Sequence, residues 1–266
     1  MRDIFEQIAE DIAKGPADPV ERAKQLSRRE LPKRFYEQVR VEAVEGGYAV
    51  LLDGRSVKTP SRKQLMFDEE YLAEAVAAEW EIQEENIDPI TMPLTRIAHS
   101  AIDAVADRFS EVADEVARYS GNDYLFYRAE APQELVKRQS EAWDPVVAWG
   151  EEMFEGQFKL TTGLIHQQQD ETVTANIREG LNQFTPLELS AIHTITSISG
   201  SALLALAAAH GAFSEDEIWK FAHIDEDWNI EHWGQDSEAA RVRRFKNEEF
   251  SAACLILNKP EVQVEA

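Results

Sequence analysis

The sequence predicts an α+β protein, with strands first and helices after. Three observations carry that prediction. From Lys33 to Phe67 apolar residues alternate with a period of two, broken by tight-turn signals. From Asp68 onward apolar residues recur mainly at helical spacing. Finally, Leu189 to Phe213 contains no Asp, Glu, Lys or Arg, in a chain where those four types make up 29% of residues. A stretch apolar nearly all round predicts a central helix with others laid around it.

In chain order, Ile4, Phe5, Ile8 and Ile12 have helical spacing, so residues 2 to 14 predict a short amphipathic helix ended by Gly15-Pro16. Val20 to Arg29 adds another turn or two before Pro32. Residues 1–30 are thus expected to form an N-terminal helical arm. Phe35 to Val44 reads as a strand, Glu45-Gly46-Gly47 as a turn, and Tyr48 to Leu52 as the return strand. Asp53-Gly54 is a two-residue hairpin signal, because both central positions need positive φ. Arg55 to Thr59 gives a third strand stopped by Pro60, and Gln64 to Phe67 a fourth, completing a β-meander.

Asp68 is placed to cap a helix running to about Asn86, with Leu72, Ala75, Val76, Glu79 and Trp80 on successive turns. The linker from Pro89 to Pro93 ends it. Thr95 starts a long helix to about Tyr119, with Ile97, Ala101, Ile102, Val105, Phe109, Val112 and Val116 facing inward. Asn122 to Tyr127 is a compact aromatic connection. Residues 31–130 are read as an α+β domain built on the meander.

Pro132 opens another helix, which Asp144-Pro145 should bend or interrupt. Phe158 to Ile165 is a β-like insertion expected to return to the meander's sheet, and residues 171 to 183 form a helix. Thr185-Pro186 opens the central helix, which closes at Gly211. In it Ser197, Ser201, Ala205 and Ala209 recur every fourth residue, giving one small face, while Leu189, Ile192, Ile195, Ile198, Leu203 and Leu206 cover most of the rest. His193, Thr194, Thr196, Ser199 and His210 make it a poor membrane span. Ser214 with Glu217 makes a capping box for the next helix, and the last runs from Ser237 to Leu257. Residues 131–258 are read as a helical bundle domain with a strand-like insertion near 158–165, and 259–266 as a tail.

Net charge is −23, which repels nucleic acid and anionic lipid as main partners. The charge is uneven. Arg22 to Lys63 holds 11 basic and 5 acidic residues, a net of +6, leaving −29 for the remainder. Cys254 is the only cysteine, so no internal disulfide can form and the count argues against a cysteine-based zinc site. Asp3, Glu6, Glu10 and Asp11 are unlike a transit peptide, and the apolar core of a signal peptide is lacking. The expectation is a cytoplasmic bacterial protein.

Catalytic signatures are absent. The 12 glycines match neither the Walker spacing nor the dinucleotide fingerprint. Gly200-Ser201 lacks the flanking glycine of a nucleophile elbow, so Ser201 is read as a packing residue, and Cys254 as core. The best metal candidate is His223 to His232, where His223 and Asp227 share a helical face and Glu231 lies one turn on. Neither histidine completes Glu-x-x-His or His-Glu-x-x-His. A metal-dependent or acid–base hydrolase centred there is the alternative to a binding protein; the reading preferred is no enzyme, no cofactor and no metal.

Two surfaces remain. In Trp233-Gly-Gln-Asp-Ser-Glu238, Gly234 can end one helix and Asp236 or Ser237 can cap the next, leaving Glu238 in its first turn. Glu238 then either stabilises that helix start or meets a basic residue on a partner. Asp53-Gly54-Arg55-Ser-Val-Lys58-Thr-Pro60 is either a stable hairpin alone or a sheet edge that displays Arg55 and Lys58 for binding.

Gly47-Tyr-Ala-Val-Leu-Leu-Asp-Gly-Arg-Ser-Val-Lys-Thr-Pro60, Ala78-Glu-Trp80, Met92-Pro-Leu-Thr95 and Trp233-Gly-Gln-Asp-Ser-Glu-Ala239, in that order, resemble the signature of the F(1)-ATPase assembly chaperones that bind the α subunit, found in mitochondria and α-proteobacteria. The resemblance runs from about Lys33 to Asn258. It implies an N-terminal α+β domain and a C-terminal orthogonal helical bundle. It also implies a function without catalysis: holding free F(1) α subunit and shielding the surface that β will cover. In that family the glutamate of the Trp-Gly-x-Asp-x-Glu-Ala motif is the residue most linked to function, and here it falls on Glu238. The resemblance thus favours Trp233, Asp236 and Glu238, with Asp53, Gly54, Arg55 and Lys58, as partner-binding residues.

Overall fold

The structure is a computed structural model that describes residues 31–163 and 165–258. The helices expected over 2–14 and 20–29, and the tail 259–266, lie outside the described residues. The chain divides into two compact units, one ending at Arg108 and the other beginning at Phe109. The stretch Phe109 to Glu130, assigned from sequence to the meander domain, groups with the second unit.

The first unit is built on a four-stranded antiparallel sheet: β1 (Val39–Val44), β2 (Gly47–Leu52), β3 (Arg55–Ser56) and β4 (Met66–Phe67). β2 is central, pairing with β1 from Val39↔Leu52 to Val44↔Gly47, with β3 at Leu52↔Arg55, and with β4 at Tyr48↔Phe67. Its Ala49, Val50, Leu51 and Leu52 are all buried, so it lacks the alternation of a one-sided strand. Gly47 is required at the first turn: a Cβ there would stand 2.3 Å from the Phe67 carbonyl oxygen. At the second, Asp53 and Gly54 take φ of 48° and 77°, the conformation expected of that pair.

The strands are shorter than the alternation predicts. β1 starts at Val39 rather than Phe35 because the backbone N–H groups of Glu37 and Gln38 donate to the Asp53 carboxylate instead of to a neighbouring strand. β3 stops at Ser56, and Lys58 meets Gln64 only through an isolated bridge.

Helix α1 (Glu70–Glu81) lies against β1 and β2 and buries Leu72, Ala73, Val76 and Trp80. It is not capped by Asp68; its N-cap is Glu69, whose side chain makes no cap hydrogen bond to the helix. It also stops short of Asn86. Glu85 and Asn86 turn away to pair with the chain before β1: Arg34 N–H donates to Glu85 O, and Ile87 N–H to Pro32 O. The long helix expected from Thr95 to Tyr119 is in fact α2 (Pro93–Ser100), a π-turn (Ala101–Val105) and α3 (Phe109–Ser120). The wide turn is marked by Ala106 N–H donating to Ala101 O. It leaves the Ile102 carbonyl open to Lys63 Nζ at 2.9 Å, while Asp103 accepts Thr59 Oγ1 at 2.6 Å and Ser61 N–H at 3.0 Å.

In the second unit α3 is followed by a 3-10 turn (Tyr124–Phe126), β5 (Tyr127–Arg128) and α4 (Gln133–Met153). The helix passes through Pro145 without interruption. Pro145 and Glu141, whose carbonyl loses its helical partner there, are both exposed, so water can satisfy the gap. The insertion near 158–165 forms β6 (Thr161–Thr162). It pairs in parallel with β5, and so builds a separate two-stranded sheet rather than joining the meander's. Helix α5 (Glu171–Gly180) follows.

The uncharged stretch is two helices, not one: α6 (Pro186–Ser199) and α7 (Ala202–Ala209). Gly200 ends α6 in the left-handed region at φ 70°, and Ser201 caps α7 by accepting Leu204 N–H at 3.0 Å. The break disperses the expected small-residue face, since Ser197 is exposed while Ser201 and Ala205 are buried. The central position holds nonetheless. Ala202 to Ala208 are buried throughout, α7 packs on α3, α4, α6 and α8 (Glu215–Ala222), and α6 packs on α3 and α10 (Ser237–Leu257). Both predicted capping boxes form, Thr185 with Glu188 and Ser214 with Glu217. Helix α9 (Ile224–Trp233) sits between α8 and α10 in the chain.

Candidate partner-binding surfaces

The first surface is the junction of α9 and α10. Sequence dictates its shape: Gly234, at φ 84°, stops α9 with its N–H on Ile230 O, and Asp236 restarts the chain as α10. Asp236 Oδ1 accepts the backbone N–H groups of Glu238 and Ala239, each at 3.0 Å. Glu238 therefore lies in the first turn as expected, exposed, with Oε1 2.7 Å from Arg241 Nη2.

Helix α9 is fixed from beneath. Asp225 accepts the Tyr124 hydroxyl at 2.5 Å and Gln139 Nε2 at 2.7 Å. Burial, then the Asp225 carboxylate it donates to, raises the Tyr124 phenol well above its usual range. Arg138 binds Glu231 at 2.7 Å and lies over the Trp228 ring, while Arg243 binds Asp227 at 2.5 Å. Trp228 is buried among these groups. Trp233, five residues on, is 83% exposed. It borders a cleft of about 380 Å³ with Glu226, Ile230, Asp236, Ala239 and Ala240. The cleft brings Trp233 and Asp236 together; Glu238 lies in the adjoining turn but does not line it. From sequence Ala239 is only the end of the quoted motif and Ala240 only an apolar position of the last helix, while Ile230 carries no mark. The signal for the alanines is the Glu238-Ala239-Ala240 step, which places two small side chains in the first turns of α10, ahead of Arg241 to Lys246.

The second surface is the hairpin at Asp53. Of its four predicted residues, Asp53 and Gly54 form the turn, Arg55 begins β3 and Lys58 lies just past it, and their roles differ. Asp53 is used internally, tying the hairpin to Glu37 and Gln38, and Gly54 meets the φ requirement. Arg55 and Lys58 are exposed and form no ion pair among the described residues. This hairpin belongs to the first unit and the Trp233 cleft to the second.

The hydrolase alternative gains no geometric support. His223 is buried, with Nδ1–H donating to Trp219 O at 2.8 Å and its ring 3.9 Å from the Trp219 ring. His232 repeats the arrangement on Trp228, at 2.8 Å and 4.0 Å. Burial lowers the His223 pKa. Asp227 and Glu231 are held by arginines, and no group of three or more His, Cys, Asp or Glu among the described residues is arranged to hold a metal ion. Cys254 is buried and its thiol is pushed up to about 12 by burial, a core residue as expected. Ser201 is buried too, but as a helix cap rather than packing alone.

Two interior carboxylates escaped the sequence reading as such. Glu79 accepts from Leu94 and Thr95 at the start of α2. Asp123 accepts Leu125 N–H at 3.1 Å and Leu203 N–H at 3.0 Å, and burial raises its pKa to about 6. Glu79 could have been found as a carboxylate on an apolar helix face; Asp123 had no comparable mark.

Comparison with known proteins points one way. A family model described as ATP12 chaperone protein matches residues 33–151. The crystal structure of Atp12 from Paracoccus denitrificans is similar with a TM-score of 0.77 and 37% identity, covering 85% of this chain and 97% of that one. A putative chaperone from Agrobacterium tumefaciens is similar with a TM-score of 0.82 and 39% identity, covering 95% of each chain. The mitochondrial protein atp12 of Schizosaccharomyces pombe is 23% identical over 241 residues, 84% of this chain and 81% of the yeast protein.

Proposed function

The chain belongs to the ATP12 chaperone family, and from that premise we propose that it assists assembly of the F(1) sector of ATP synthase by binding the unassembled α subunit. In this reading it shields the α surface that the β subunit later covers, and it does so without catalysis. The observation that carries the proposal is Trp233, a large apolar side chain left 83% exposed on a helix braced from below. Exposed aromatic surface beside a cleft supports an interaction site there, and tryptophan is among the residues that dominate binding energy. An orphaned subunit interface is itself prone to aggregate, which gives a temporary cover its purpose.

The proposed contact residues are Trp233, Asp236 and Glu238 at the cleft, with Asp53, Gly54, Arg55 and Lys58 on the hairpin. No helix among the described residues is long and apolar enough to cross a membrane. We place the protein in the bacterial cytoplasm, with the mitochondrial matrix as the counterpart for its eukaryotic relatives. The test is co-purification. Tagged protein should retain newly made α subunit, and added β should displace it. Failure to recover α from cells that express the tagged protein well would overturn the proposal. A stable ternary complex through the same α surface would overturn the shielding model.

A further inference from the structure

We infer that the cleft between α9 and α10 takes an aliphatic side chain from a partner segment that carries lysine or arginine beside it. This rests on the proposed function for the identity of the partner, but the chemistry of the occupant comes from the cleft itself. Its apolar lining is Ile230, Trp233, Ala239 and Ala240, with Ala239 and Ala240 leaving space where larger side chains would close it. Its ionisable lining is two carboxylates, Glu226 and Asp236, and no cation lines it.

Two neighbouring cations are already engaged, one of them in part by Glu226, whose Oε2 also lies 3.9 Å from His223 Nε2. Arg243 sits 2.5 Å from Asp227 and 4.0 Å from Glu226, and Arg241 is held by Glu238. Helix α9 itself carries Asp225, Glu226, Asp227 and Glu231 with no Lys or Arg. Asp236 uses Oδ1 for the cap, and Oδ2 has no partner among the described residues. A cleft of about 380 Å³ accepts side chains rather than a folded surface. Its carboxylates disfavour phosphate groups and acidic peptides, whereas a cation held at the rim can pair with Glu226 or Asp236 while its aliphatic neighbour covers Trp233.

The experiment uses the full chain at low salt and three blocked peptides: Gly-Leu-Lys-Leu-Lys-Gly, Gly-Leu-Glu-Leu-Glu-Gly and Gly-Ser-Lys-Ser-Lys-Gly. Tryptophan emission is read up to millimolar peptide. The leucine–lysine peptide should give a saturable change, with the other two at least about fivefold weaker. Glu226→Gln with Asp236→Asn, which retains a capping oxygen at position 236, should weaken the leucine–lysine peptide about fivefold and narrow its margin over the glutamate peptide. Ala239→Leu should fill the cleft and abolish the change with Trp233 still in place. Circular dichroism should match wild type for both variants. No saturable binding of the leucine–lysine peptide, equal binding of the glutamate peptide, or indifference to both variants would overturn the inference. Co-purification separates it from the function proposal. If α subunit is retained equally by wild type and the doubly neutralised variant, the inference falls and the function stands. If wild type retains no α while the peptide selectivity holds, the function falls instead.

Discussion

Glu79 Oε2 accepts two hydrogen bonds from Thr95, one from its backbone N–H at 2.8 Å and one from its hydroxyl at 2.7 Å. Its other oxygen accepts Leu94 N–H at 2.7 Å. A buried carboxylate on α1 thus caps α2, and Ala78-Glu-Trp80 and Met92-Pro-Leu-Thr95 become two halves of one device. Glu79→Gln leaves one oxygen where two are needed and turns an amide N–H₂ toward backbone donors. It should cost about 2 kcal/mol, the usual worth of hydrogen bonds to a charged group. The check is the urea midpoint; a variant within 0.5 kcal/mol of wild type, roughly the scatter of a surface change, would refute the capping role.

Asp123 makes stability depend on pH with a definite sign. Its pKa in the fold is about 6, above the ordinary value of 3.8, because it is buried. The folded state therefore holds the proton more tightly, and this contribution is full below the unfolded value and lost as pH rises through 6. Between pH 5 and 7 the loss should be about 1 kcal/mol. In Asp123→Asn that loss should vanish, so the stability gap between wild type and variant should narrow over the same range. Paired urea titrations measure it, and a gap that stays constant would contradict the shift.

Trp233→Ala should fold normally, since a side chain 83% exposed contributes little to the core. Retention of α subunit should fall about tenfold or more, as expected for a central tryptophan at an interface. Equal retention in a quantitative pull-down would remove Trp233 from the site.

Glu238→Lys places a cation in the first turn of α10 beside Arg241, with which Glu238 now pairs. Loss of an exposed pair and a favourable helix-end charge should cost less than about 1.5 kcal/mol. The variant should fold yet retain less α than wild type. Retention that tracks the stability loss alone, as judged against another surface variant equally destabilised, would leave Glu238 a purely structural role.

Gly200→Ala tests the division of the uncharged stretch. At φ 70° an alanine should destabilise by about 1–2 kcal/mol. Its Cβ would meet Tyr124 Cβ only at ordinary contact distance, 3.5 Å, so backbone strain dominates. A neutral effect on thermal unfolding would argue for a continuous helix instead.

Much of this architecture is legible where chemistry is local. Asp53-Gly54 demands positive φ, Ser214 and Glu217 satisfy each other across one turn, and Gly234 with Asp236 writes a stop and a start. What sequence conceals depends on distant partners. Gly200 looked like a tolerated helix glycine because its neighbours keep helical spacing, and only the cap from Ser201 to Leu204 reveals the break. The end of α1 depends on Arg34 and Pro32, some fifty residues upstream, claiming Glu85 and Ile87. At the candidate site the motif residues could be listed, but the exposure of Trp233 could not. Trp228, on the same helix, is buried.

Asp123 and Asp225 also constrain the timetable of synthesis. Asp123 must wait 80 residues for Leu203, and Tyr124 must wait 101 for Asp225. A chain still emerging from the ribosome carries Asp123 and Tyr124 without these partners until α7 and α9 have been translated. The surface carrying Trp233 is therefore finished late, and a product interrupted before α10 would lack the Arg243 that pairs with Asp227.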